Sequence, residues 1–149
     1  MRIQRSIEIA APPEKIWPFL VEPEKIMQWF TLLAKFEYTG EQRSGVGTTF
    51  YYEEKNGPML MKLSYEVTEW VENERLAFRM TSGPASTRRD DQVWAIEATP
   101  SGSKFTCTEE LEMPWGVLGR MLVALMGGVV GKRIQEIINN LKSLVEAQD

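Results

Sequence analysis

The chain has 149 residues, 43% of them hydrophobic and 26% charged, with a formal net charge of −4, one cysteine and no histidine. That length favours one domain, 1–149, able to bury a sizeable core, and the lack of a basic footprint disfavours nucleic acid as a partner. The missing histidine removes the usual general base, the commonest metal ligand and every Ser-His or Cys-His nucleophile pair; the lone Cys107 rules out an internal disulfide and fits a reducing, cytoplasmic setting.

Arg2 to Ala10 alternates, with Ile3, Ile7 and Ile9 on one face and Gln4, Ser6 and Glu8 on the other, the pattern of a half-buried strand. This charged start has no apolar h-region, so no signal peptide is expected. Pro12-Pro13 stops the strand, and Pro13 suits the first position of a helix. Ile16, Trp17 and Leu20 follow at helical spacing, while Pro18 removes a backbone bond and predicts a weak or kinked helix. Glu22-Pro23-Glu24 starts a second short helix with Ile26, Met27, Trp29 and Phe30 on its apolar side. Leu32 to Thr39 reads as a strand of ambiguous inward face. Thr48 to Glu54 and Met59 to Val71 form a hairpin turned by Asn56-Gly57-Pro58, where positive φ is tolerated. Glu72-Asn73-Glu74 turns the chain into a strand with Leu76, Phe78 and Met80 on one face, ended by Ser82-Gly83-Pro84. Arg88 to Thr99 and Lys104 to Met113 form the last hairpin. Consecutive hairpins imply an antiparallel sheet with its helices on one side.

Trp115 to Gln148 predicts one long helix. Its stripe of Leu118, Met121, Leu122, Leu125 and Met126 continues through Val130, Ile134, Ile137, Ile138, Leu141, Leu144 and Val145. Gly127, Gly128 and Gly131 interrupt the stripe and mark close approaches or a bend. Leu118 to Val130 is too short for a membrane span and is broken by Arg120, whose stem can run along apolar surface to water. Membrane contact is expected to be transient at most.

Four segments carry a family resemblance: 7–17 (IEIAAPPEKIW), 22–29 (EPEKIMQW), 45–50 (GVGTTF) and 141–146 (LKSLVE). They resemble the START/Bet v 1-like (SRPBCC) superfamily, and are most like its polyketide cyclase/dehydrase-type members. The resemblance covers essentially the whole chain. It implies an α+β helix-grip fold, in which a curved seven-stranded antiparallel sheet wraps around a long C-terminal helix, with two short helices after strand 1. It also implies a cavity between sheet and helix. Members of this superfamily include aromatic polyketide cyclases, lipid and sterol carriers, coenzyme Q-binding proteins, plant hormone receptors and chaperone activators.

Strand parity selects candidate walls for such a cavity. Phe50 and Tyr52 form one set, Met61, Leu63 and Tyr65 a second, Phe78 and Met80 a third, and Trp94 and Ile96 a fourth. Leu118, Leu122 and Met126 would face them from the long helix. These residues either line a cavity for an apolar ligand or fill a core. Glu109 shares parity with Phe105, Cys107 and Leu111, so a regular strand points it inward, where a carboxylate's pKa rises and it can act as acid or base; a bulge would turn it to water. Glu109 and Tyr65 are the catalytic candidates. Arg88, Asp90 and Gln92 share parity with Trp94 and either fix a ligand's polar end or form a solvated strand end. Cys107 reads as a small core residue, and neither a metal nor a cofactor is expected. The expected function is binding or transport of a hydrophobic small molecule such as a lipid, quinone or aromatic polyketide-like compound. The alternative is a cyclase/aromatase- or dehydratase-like enzyme working in the same cavity. A third reading is an interaction module using Trp115 and the apolar helix start. The expected state is monomer or homodimer.

Overall fold

Period-2 alternation repeated seven times becomes seven strands, because each pleated segment can bury its apolar face only beside its neighbours. A computed structural model describes residues 1–148, the Val123 side chain apart. The elements are β1 (Arg2–Ile9), α1 (Pro13–Val21), α2 (Pro23–Trp29), β2 (Leu33–Thr39), β3 (Thr49–Asn56), β4 (Met59–Val71), β5 (Arg75–Ser82), β6 (Arg89–Thr99), β7 (Gly102–Glu112) and α3 (Gly116–Glu146). They form one antiparallel sheet in the order β1-β7-β6-β5-β4-β3-β2. The first strand thus closes against the last, and β2 to β7 follow as a meander. Register shifts at Leu33/Lys35, Ser64/Tyr65 and Val67/Glu69 bend the sheet into a curve around its helices.

Local chemistry explains the corners. Asn56 pairs with Met59, which leaves Gly57 and Pro58 as the loop. Gly57 alone takes positive φ there, at 62°, while Asn56 stays in the strand. Asn73 turns β4 into β5 at φ 64°, a conformation its short polar side chain tolerates. α1 runs through Pro18 rather than stopping: Ile16, Trp17, Phe19 and Leu20 are buried, and this packing offsets the lost backbone bond.

The core lies on the concave face beneath α1 and α2. Rings stack in a continuous run, with centroid distances of 5.1 Å for Phe36–Phe50, 5.3 Å for Phe50–Tyr65, 5.2 Å for Tyr65–Phe78, 5.0 Å for Phe78–Trp94 and 5.1 Å for Trp94–Trp29. Trp29 anchors the run, and its indole N–H donates to the Phe19 carbonyl at 2.7 Å.

α3 has two unlike halves. Ile134, Ile137, Ile138, Leu141 and Val145 are buried. Leu118 and Leu125, by contrast, are 61% and 78% exposed. The glycines between them divide in role. A Cβ at Gly131 would run into the Arg5 guanidinium and one at Gly127 into the Met1 side chain, so both are close approaches to β1. Gly128 faces open space.

Candidate functional site

Where α1 and α2 end, the concave face is left uncovered, and α3 bridges the gap. The result is a cavity of about 350 Å³. β3 and β4 contribute Glu54, Asn56, Met61 and Leu63; β6 contributes Asp90 and Gln92; β7 contributes Cys107, Glu109 and Leu111. Phe30, Met113 and Trp115 close it from the connecting segments, and Leu122, Met126, Val130, Arg133, Ile134 and Ile137 from α3. The antiparallel register pairs Gln92 with Glu109 and Asp90 with Leu111, so period-2 geometry puts all four on the cavity face.

A buried polar network supports this wall. Tyr65 donates its hydroxyl proton to Asp90 Oδ2 at 2.7 Å. Tyr52 Oη lies 2.8 Å from Tyr65 Oη, and because the Tyr65 proton is committed to Asp90, Tyr52 donates this second bond. Gln92 Nε2 reaches both the Tyr52 oxygen and Asp90 Oδ2 at 3.5 Å. Asp90 is only 5% exposed, and among the described residues its Oδ1 has no hydrogen-bond partner. On the opposite wall, Arg133 donates to Asn56 Oδ1 at 3.3 Å.

The electrostatics follow from enclosing acids in an apolar space. Burial raises the Glu109 carboxyl well above the usual range, and the nearby Asp90 charge raises it further. Burial also raises Asp90, opposed by hydrogen bonds from Tyr65, Glu109 and Gln92. Both carboxyls are therefore biased toward their protonated forms, Glu109 the more strongly. Burial pushes Glu54 up to about 7, the Asp90 charge adding to it and the Arg133 guanidinium opposing it. Burial also raises the phenols of Tyr52 and Tyr65 and the Cys107 thiol, so all three stay protonated at neutral pH. Among the described residues, no group of three or more Cys, Asp or Glu side chains is arranged to hold a metal ion.

The residues expected at the site divide cleanly. Met61, Leu63, Asp90, Gln92, Glu109, Leu122 and Met126 border the cavity. Phe50, Tyr52, Tyr65, Phe78, Trp94 and Ile96 instead belong to the packed core, and Met80 packs against it half-buried. Parity identifies their face correctly, but aromatic packing beneath α1 and α2 fills that part of it. Arg88 sits on the surface beside Glu112, its Nη1 3.7 Å from the carboxylate. Leu118 lies outside the cavity on the exposed half of α3. Tyr65 reaches the cavity only through Asp90.

Two charged wall residues are absent from the expected site, the helical pattern placing Arg133 on the wet face of the long helix. Glu54 shares parity with Phe50 and Tyr52, and Arg133 shares a helical face with Met126, Val130 and Ile137. Both spacings were available as signals.

A gripped helix, a curved sheet and an internal apolar cavity agree with what sequence comparison finds. Residues 1–146 match the family described as polyketide cyclase/dehydrase and lipid transport. The chain belongs to that family. A relative, an uncharacterized protein of Mycobacterium tuberculosis (strain ATCC 25618 / H37Rv), is 23% identical over 150 residues, covering 97% of this chain and 84% of the relative. Among solved structures, the Zhui aromatase/cyclase from Streptomyces sp. R1128 superposes with a TM-score of 0.81 at 12% identity, over 98% of this chain and 93% of that one. A START superfamily protein from Mycobacterium smegmatis gives a TM-score of 0.78 at 16% identity, over 97% of each chain. At such identities these two neighbours establish the shared helix-grip fold of the START/Bet v 1 superfamily. Among the described residues, no helix of this family member is long and apolar enough to cross a membrane.

Proposed function

We propose that this protein binds or carries a hydrophobic small molecule, of the lipid, quinone or aromatic polyketide-like kind, in the cavity between sheet and α3. The observation that carries the reading is an apolar-walled space of about 350 Å³ with a small set of polar groups on one wall. Small-molecule sites are typically about 300–1,000 Å³, mostly apolar, with a few placed polar atoms. Native mass spectrometry of the purified protein, followed by denaturing extraction, is expected to yield a bound apolar compound. Leu63→Trp, which fills the cavity from β4, is expected to abolish that binding while the far-UV circular dichroism stays unchanged. Undiminished binding in that variant would remove the reading.

A second reading, a cyclase/aromatase- or dehydratase-like enzyme, is favoured by two interacting buried carboxyls, Glu109 and Asp90, beside the cavity. Protonated Glu109 would give its proton to a leaving hydroxyl, and ionised Asp90 would take one from the neighbouring carbon, releasing water and forming a double bond. Tyr65 would be a positioning residue acting through Asp90. Turnover separates the readings: an enzyme converts its bound compound and loses that conversion in Glu109→Gln, whereas a carrier releases its ligand unchanged in both forms.

A further inference from the structure

The charged groups on the cavity wall are unbalanced toward acid. Glu54 from β3, Asp90 from β6 and Glu109 from β7 all border it, and Arg133 is the one cation among its described lining residues. Three donors beside the acids are already engaged. Tyr65 gives its proton to Asp90, Tyr52 gives its own to Tyr65, and Arg133 engages Asn56. Asp90 Oδ1 is still left without a partner, on a side chain only 5% exposed. A buried acceptor in this condition marks a place where a donor is missing. A proton on Glu109 is the nearest internal substitute, and it serves a single bond.

A ligand's head group can correct this imbalance in only one sense. An alkyl ammonium brings several N–H donors and a positive charge to a cavity that three carboxyls border, and its bonds to carboxylates are charge-assisted. The rings of Phe30 and Trp115 on the same cavity add faces that attract cations. A carboxylate head would meet three acids, with a single guanidinium in reach that Asn56 and Glu54 already share. We infer that the ligand is a cationic amphiphile, seating a primary or secondary amine against Asp90, Glu109 and Glu54, with its apolar body along Met61, Leu63, Leu122 and Met126. This rests on the proposal that the cavity binds an apolar small molecule, and it names that molecule's head group. As the amine seats, it takes over the role of the Glu109 proton, which leaves to solvent.

The test uses three probes with one tail and different heads: dodecylamine, dodecanol and dodecanoic acid. Each is titrated by calorimetry at neutral pH, below its aggregation concentration. The amine is expected to bind at least about tenfold more tightly than the alcohol, with the acid weakest. In Asp90→Asn that preference should fall to within about threefold. Glu109→Gln, on a less buried side chain, should reduce it in the same direction and covers the case in which Asp90→Asn does not fold. If the alcohol binds and the acid equals or exceeds the amine, the head-group inference is overturned while the apolar-cavity reading stands. If the amine is preferred but both variants keep that preference in full, the seat is elsewhere and the inference is again overturned. If none of the three binds, the cavity reading itself fails and the inference falls with it.

Discussion

Two regions of one concave face carry residues of the same parity and hold opposite contents. Under α1 and α2, Trp29, Trp94, Phe105 and Phe78 pack ring against ring. Beyond those helices, Leu63, Asp90 and Glu109 border open space under α3. The division runs through α3 too. Its more polar half, which carries Lys132, Arg133, Glu136 and Lys142, contributes the buried Ile138 and Leu141, while the nearly uncharged half before it exposes Leu118, Met121 and Leu125. Apolar content alone therefore does not decide burial. Cover does, and the cover is two helices together only about four turns long.

The largest expected effect contrasts the two halves of α3 directly. Leu141→Ala, at a fully buried site, should cost about 2–5 kcal/mol in urea unfolding, whereas Leu125→Ala should change stability by less than about 0.5 kcal/mol. Equal losses at both positions would mean that the exposed half is buried in solution and would erase the contrast.

A smaller effect tests the seam where core meets cavity. Tyr65→Phe keeps the ring in its stack but removes the donor to Asp90 Oδ2, leaving a buried carboxylate with one fewer bond. The expected loss is about 1–3 kcal/mol. A neutral result would mean that the network contributes nothing to the fold.

A third effect concerns pH. Glu54 sits at about 7 in the folded protein against an ordinary 4.5, so between these values the native state binds more protons than the unfolded one. Stability from this group is therefore fully present below about pH 4.5, declines as pH rises, and is lost above about 7. Glu109, raised in the same direction, adds to the decline. Thermal melts at pH 5 and pH 7.5 should show a fall in Tm that Glu54→Gln makes shallower. An unchanged slope would place Glu54 in water rather than in the cavity. No comparable dependence is expected from the aromatic region, where the phenols of Tyr52 and Tyr65 stay protonated throughout.

Much of the fold was legible in local patterns. Alternation at Ile3, Ile7 and Ile9, the hairpin signal at Gly57 and the turn at Asn73 each mark an element or a corner that the structure contains. Pro18 lies inside α1 and removes one backbone bond, and four buried side chains hold the helix around it. The site was legible in direction but not in content. Glu109 and Asp90 share their strands' inward parity, and so do Trp94 and Phe78, yet only the first two meet the cavity.

The sequence by itself therefore determined where most strands and helices form, where the chain reverses and which family it joins, because these depend on spacings of two to four residues and on contiguous motifs. Only the tertiary structure decided which inward residues meet each other and which meet a space. That outcome depends on where α1, α2 and α3 come to rest on the sheet. It also depends on contacts such as Tyr65 with Asp90, 25 residues apart, and Arg133 with Asn56, 77 apart, which no local periodicity encodes.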